Sequence, residues 1–177
     1  MEKVVLVNSD NDIIGSEDKI VAHQKGLLHR AFSILVYNKR RELLLQRRAD
    51  TKYHTPSLWT NTCCSHPFVD EGYEEAINRR LEEEMGMSSY LTKYCSFIYK
   101  AKLNNNLIEY EHDTVFLGQS NSLPRINKDE VSDYKYISYE DLKEQIEFYP
   151  NKFTPWFKLI IDKLDKDFFI KKNFNYA

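Results

Sequence analysis

The chain has 177 residues, 42% of them hydrophobic, and its 25 basic and 27 acidic side chains leave a formal net charge of −2. That length buries one sizeable core and is too short for two ordinary domains, so a single domain over residues 1–177 is expected. The mixed charge offers no basic field for a nucleic-acid backbone, and no apolar run nears the roughly 20 residues that span a bilayer, so neither nucleic acid nor membrane is an expected partner. In chain order, strand-like runs stand at Val4 to Val7, Phe32 to Tyr37 and Glu42 to Leu45, with NSDND and NKRRE as turn-like breaks. From Tyr73 to Met85, Ala76, Ile77, Leu81 and Met85 give one apolar stripe among charged residues, which predicts an amphipathic helix ended by Gly86. Tyr94 to Leu103 and Leu107 to Leu117 read as a long hairpin around Asn104, Asn105 and Asn106. A short strand at Tyr134 to Ile137 precedes helical spacing over Tyr139 to Phe148 and Pro155 to Ile170. Strands, a helix, more strands and closing helices predict an α+β domain in α/β/α layers.

Three cysteines, Cys63, Cys64 and Cys95, make an odd count, and adjacent cysteines rarely pair. Free thiols in a reducing compartment follow, and the opening MEKVVLVNSDND turns acidic where a signal peptide would stay apolar. A cytoplasmic protein is expected.

The chemistry concentrates between Thr60 and Met87, in TNTCCSHP followed by VDEGYEEAINRRLEEEMGM. The second part resembles the Nudix box, G-x5-E-x7-R-E-U-x-E-E-x-G-U with U a bulky apolar residue. Ser65, Glu71, Arg79, Arg80, Leu81, Glu83, Glu84, Gly86 and Met87 fall on its positions. The resemblance implies a Nudix fold, a mixed β-sheet with flanking helices, whose helix presents carboxylates to hard divalent cations that hold a diphosphate. Two positions depart from the pattern. Ser65 replaces the opening glycine, and Arg80 replaces a glutamate that Nudix hydrolases commonly use on metal; an arginine there suits direct contact with a phosphate oxygen.

TNTCCSHP, together with the earlier AHQKGLLHRAF, is similar to the type I isopentenyl-diphosphate isomerases, from about Val5 to beyond Trp156. That family has a catalytic cysteine and a metal-binding histidine separated by one residue, which selects Cys64 and His66 here. Its other metal ligands correspond to His23, His29, Glu109 and Glu111, and alternation along a strand puts the two glutamates on one face. Three imidazoles and two carboxylates suit Mn, Zn or Mg. The resemblance also implies Glu84 as ligand to a second cation, Mg, that bridges to the diphosphate, with Glu83 a weaker candidate. It further implies Tyr99 as catalytic, Lys19, Arg48, Lys52 and Arg80 as diphosphate contacts, and Trp156 as a substrate-facing ring. Read without the family, each of these is an ordinary packed or solvated side chain. His54 and His112 match no family position and read as surface residues.

The implied reaction is the conversion of isopentenyl to dimethylallyl diphosphate in isoprenoid biosynthesis, by a monomer or weak dimer. An isolated alkene is a poor base, so a strong positioned acid must face a base across a tertiary carbocation-like species. The family assigns Glu111, assisted by Tyr99, to protonation and Cys64 to deprotonation, with a cationic, metal-rich surrounding expected to favour the Cys64 thiolate. Which of Glu111 and Tyr99 delivers the proton stays open, as does any part for Cys63 beyond packing. Two alternatives compete: a Nudix hydrolase of a nucleoside diphosphate derivative, which would release phosphate, and a catalytically silent diphosphate-binding module.

Overall fold

A computed structural model describes residues 2–169; Ile170, the last residue of the predicted closing helix, and the tail KKNFNYA lie outside them. The centre of the molecule is β3 (His29–Tyr37), which pairs in parallel with β8 (Ile108–Gln119), from His29 opposite Glu111 to Tyr37 opposite Gln119. Its other edge meets three strands in turn, all antiparallel: β1 (Lys3–Val7) at His29, β6 (Cys63–Ser65) at Phe32 to Ile34, and β4 (Leu43–Arg48) at Val36 and Tyr37. Beyond them, β2 (Ile13–Asp18) lies on β1, while β5 (Trp59–Thr60) and β9 (Val131–Ile137) pair with β4. β7 (Leu91–Lys102) closes the long hairpin onto β8.

Strand alternation splits the core into two layers. Phe32, Ile34, Val36 and Leu44 face one side and pack with Ala76, Leu81 and Met85 of α2 (Tyr73–Met85). Leu35, Leu43, Leu45 and Val115 face the other. There they meet Leu142 of α3 (Tyr139–Phe148), Trp156, Phe157 and Ile160 of α4 (Pro155–Lys163), and Phe169 of α5 (Lys166–Phe169). This is the expected α/β/α layering, and each of these fully buried side chains contributes roughly 1.5–3 kcal/mol.

α2 has its predicted bounds because both ends are chemically marked. The Glu75 carboxylate accepts the Gly72 N–H at 3.2 Å, and Gly86 ends the helix at φ 58°. A Cβ at Gly86 would sit 2.5 Å from the Arg125 carbonyl oxygen, so only glycine fits.

Several features depart from the expectation, among them the short strands β5 and β6 and the earlier starts of β3, at His29, and β9, at Val131. A short helix, α1 (Lys19–Lys25), follows β2 where neither was predicted. The segment from Pro155 is two helices, because Leu164 turns extended at ψ 141° and the Asp165 N–H goes to the Tyr94 hydroxyl at 2.8 Å instead of continuing the helical ladder. The strand predicted from Tyr94 starts earlier, at Leu91. No helix among the described residues is long and apolar enough to cross a membrane.

Candidate active site

The site grows out of the parallel register. Glu109 and Glu111 share one face of β8, and Glu111 stands opposite His29 on one side and Tyr99 of β7 on the other. α1 brings in His23; its start is fixed by Asp18, whose carboxylate accepts the Ile20 and Val21 N–H groups at 3.0 and 3.3 Å, and its end by Gly26 at φ 61°. His66 arrives one residue after β6.

His23, His29, His66, Glu109 and Glu111 are buried, and one ligand atom from each lies within 4.8 Å of all the others. Ligands on opposite sides of a divalent ion sit about 4–4.5 Å apart, so the five could hold such an ion. The orientation of the rings fits that use. His23 Nδ1 is bonded to the Lys19 carbonyl at 2.6 Å and His29 Nδ1 to the Leu27 carbonyl at 2.8 Å, which leaves both Nε2 atoms as lone-pair donors. Those two Nε2 atoms and Glu109 Oε2 have no hydrogen-bond partner, although His23 Nε2 is only 3.1 Å from Glu109 Oε2. Buried polar atoms left unpaired cost about 1–3 kcal/mol each, and a cation bound among these donors would relieve that cost.

Burial would raise Glu111, but His29 and His66 beside it hold it well below the usual carboxylate range. Burial and the neighbouring Glu111 push Glu109 up. Burial takes His66 down to about 3 against the pull of Glu111. Tyr99 donates to Glu111 Oε2 at 2.5 Å and is pushed well above its ordinary value by burial and by that carboxylate, so it keeps its proton.

Every other residue expected at the site lines the same cleft: Lys19, Arg48, Lys52, Arg80, Glu84, Cys64 and Trp156. Three of the four cations already have carboxylate partners. Lys19 lies 3.1 Å from Glu2, Lys52 pairs with Glu130, and Arg80 pairs with Glu84, with Glu83 at 2.7 Å and with Glu130 at 3.5 Å. Arg48 instead donates to the Thr55 and His54 carbonyls at 3.1 and 3.2 Å and lies 5.6 Å from the centre of the Trp156 ring. Glu84 is buried and accepts from Gln46 at 2.7 Å, whereas Glu83 points outward. Within the Nudix box, Glu71 receives Arg79 through two bonds, at 2.6 and 2.7 Å, and so braces the loop against α2.

The segment TNTCC is a buried polar bracket. The Thr62 hydroxyl bridges the Val36 N–H and the Leu44 carbonyl, Asn61 donates to the Cys63 carbonyl, and Thr60 Oγ1 accepts the Trp156 indole N–H at 3.0 Å. Alternation in β6 then separates the cysteines: Cys63 is fully buried in the α2 layer, while Cys64 meets the cleft. The expected thiolate is not favoured by the protein alone. Burial pushes Cys64 up to about 12, with Arg48 working against it and the carboxylates of Glu84 and Glu111 adding to it.

His54 corrects the sequence reading. It is 7% exposed, not a surface residue, and its Nε2 lies 3.4 Å from Glu109 Oε1. No local pattern marks it, since KYHTP reads as a turn; Arg48 buries it by holding its carbonyl. His112 is half-buried and outside the cleft. Gln46, Thr60 and Tyr53 are further contributors to the site or its walls that carry no sequence signal of their own.

The profile of the NUDIX domain matches residues 27–157. Over 163 residues, 92% of each chain, the sequence is 54% identical to isopentenyl-diphosphate Delta-isomerase 2 of Photorhabdus laumondii subsp. laumondii. It is 43% identical to the isopentenyl-diphosphate Delta-isomerase of Pectobacterium atrosepticum, over 93% of this chain and 92% of that one. Among solved structures, DR0079 from Deinococcus radiodurans superposes with a TM-score of 0.73 at 19% identity, covering 90% of this chain and 97% of that one. The MutT protein from Methanosarcina mazei Go1 gives 0.65 at 17% identity, covering 79% and 94%. These two likenesses are of fold alone.

Proposed function

This chain belongs to the Nudix family and, within it, to the isopentenyl-diphosphate Delta-isomerases, and we propose how its cleft carries out the conversion of isopentenyl diphosphate to dimethylallyl diphosphate. The enzyme forms a C–H bond at the terminal alkene carbon and breaks one at the allylic carbon, with no change in the diphosphate.

His23, His29, His66, Glu109 and Glu111 are the residues that would hold one divalent ion, Mn, Zn or Mg, and Glu84 would hold a second, Mg, shared with the diphosphate. When bound, such ions supply positive charge that neutralises phosphate oxygens and favours the anionic forms of nearby groups. Lys19, Arg48, Lys52 and Arg80 anchor the diphosphate, which leaves the apolar end of the substrate between Trp156, Cys64 and Tyr99. The Tyr99–Glu111 pair gives a proton to the terminal carbon. Tyr99 holds that proton in the resting site, and Glu111 is the anion it is bonded to. The Trp156 ring faces the developing tertiary cation, an interaction of about 2 kcal/mol when desolvated. Cys64 takes the allylic proton, its thiolate favoured by Arg48 and opposed by burial. Each turnover moves one proton from the tyrosine side to the cysteine side, so the pair is reset before the next.

The observation that carries this reading is that Cys64 and the Tyr99–Glu111 pair reach one cleft from strands on opposite edges of β3. A hydrolase needs no such matched acid and base. The substrate and product are the only partners the reading requires, and the free cysteines fit the reducing cytoplasm as its compartment.

The test is to incubate the protein with Mg, Mn and isopentenyl diphosphate while following dimethylallyl diphosphate and free phosphate together. The expected result is allylic product without phosphate, reduced about 100- to 10,000-fold by Cys64→Ala and preserved in Cys63→Ala. Phosphate release without isomer would overturn the reading in favour of hydrolysis; substrate binding with no product would favour a silent diphosphate-binding module.

A further inference from the structure

The two oxygens of Glu109 have different surroundings. Oε2 lies 3.1 Å from His23 Nε2, and neither atom has a hydrogen-bond partner. Oε1 lies 3.4 Å from Nε2 of His54, the buried histidine that belongs to no ligand set described above. On the far side of that imidazole, Nδ1 is 3.0 Å from the Thr55 hydroxyl. A hydroxyl donating there leaves the ring proton on Nε2, the nitrogen on the carboxylate's side of the ring. The ring is further fixed on three sides. It stacks on His23 with centroids 5.9 Å apart, meets Tyr53 edge-on at 4.3 Å, and meets Trp156 at 6.1 Å.

We propose that His54 is a positioning residue of the metal centre, holding Oε1 of Glu109 so that Oε2 is presented to the ion, and linking that carboxylate to Trp156 at the substrate end of the cleft. The inference rests on reading the five-residue cluster as a metal site. It adds a 3.4 Å contact to one of the two carboxylate ligands, where the Lys19 and Leu27 carbonyls hold two of the imidazoles by hydrogen bonds.

The experiment uses the full chain loaded with Mn. Affinity is measured by competition with a chelator, and the imidazoles on the ion are counted by electron spin echo modulation. Loss of an orienting partner weakens metal affinity about 10- to 100-fold, the effect expected for His54→Ala. His54→Gln, which keeps an N–H near the Nε2 position, recovers most of it, and all three proteins show three imidazoles on Mn. Equal affinities for wild type and His54→Ala overturn the proposal. Failure of His54→Gln to recover affinity, with its melting curve matching the wild type, also overturns it, since packing alone would then explain the loss. A fourth imidazole in the wild type that vanishes in His54→Ala makes His54 a ligand and overturns it differently. A wild type that holds no Mn defeats the metal-site reading itself, separately from anything said of His54.

Discussion

The two ends of the cleft solve opposite electrostatic problems. At the histidine end, His23, His29 and Glu109 are buried with atoms that no protein group satisfies. At the α2 end, Lys19, Lys52 and Arg80 are each engaged by a carboxylate from Glu2, Glu130 or Glu84. Under the proposed roles an ion would complete the first end, whereas at the second a diphosphate would compete with Glu2 and Glu130 for Lys19, Lys52 and Arg80. The arginine at position 80, where the Nudix pattern has a glutamate, pairs with Glu83 and Glu84 of its own helix.

Three measurements press on this contrast. The largest expected effect belongs to Glu111, to which the proposal gives both the ion and the proton. Glu111→Gln is expected to lower kcat about 100- to 10,000-fold and to lower bound metal, read by steady-state kinetics and metal analysis of the same sample. Retention of metal with full activity would remove Glu111 from both roles.

Acid should come next, acting on the histidine end and also on the α2 end, where Lys19, Lys52 and Arg80 hold Glu2 and Glu130 below the usual carboxylate range against burial. Burial depresses His54 to about 2 and His66 to about 3, so an unfolded chain takes up protons near pH 6.5 that the folded, metal-free chain refuses. Their contribution to stability is therefore complete above about pH 6.5 and is lost as pH falls toward 3, while His23, raised by Glu109 against burial, and Glu109, pushed up by burial, both oppose this. Thermal melts of chelated protein are expected to fall steadily below pH 6.5, and those of ion-loaded protein to hold until protons displace the metal. Identical profiles would mean that the histidine end is not incomplete without its ion.

The smallest effect is at α2. Arg80→Ala should raise KM for isopentenyl diphosphate about tenfold, or about 1.4 kcal/mol, with metal content at the histidine end unchanged. A fall in kcat with unchanged KM would place Arg80 elsewhere than on the diphosphate.

Much of this was legible in the sequence because it follows local rules. α2 and α3 match their predicted bounds because each carries a clean apolar stripe and a marked start. Glu109 and Glu111 share a face because strands alternate. The remainder depends on distant contacts. α1 spans only seven residues and β2 shows no alternation, so neither stands out, yet α1 carries His23. Separation of Cys63 from Cys64 needs only strand parity, but which parity faces the cleft is set by the pairing of β6 with Phe32 to Ile34. His54 is buried because Arg48, six residues earlier, takes its carbonyl. A turn motif cannot announce that.

The parallel pairing of β3 with β8 also bears on how the molecule is made. His29 and Glu111 become neighbours only when strands separated by β4 to β7 and α2 have closed on each other. Such non-local closure comes late and slowly, because the intervening loop entropy is lost before the contacts form. An ion that needs His23, His66 and both glutamates at once cannot be captured by a half-folded chain. Metal uptake during refolding would thus act as a clock for the final step of assembly, with strand hydrogen bonds formed well before the site gains affinity.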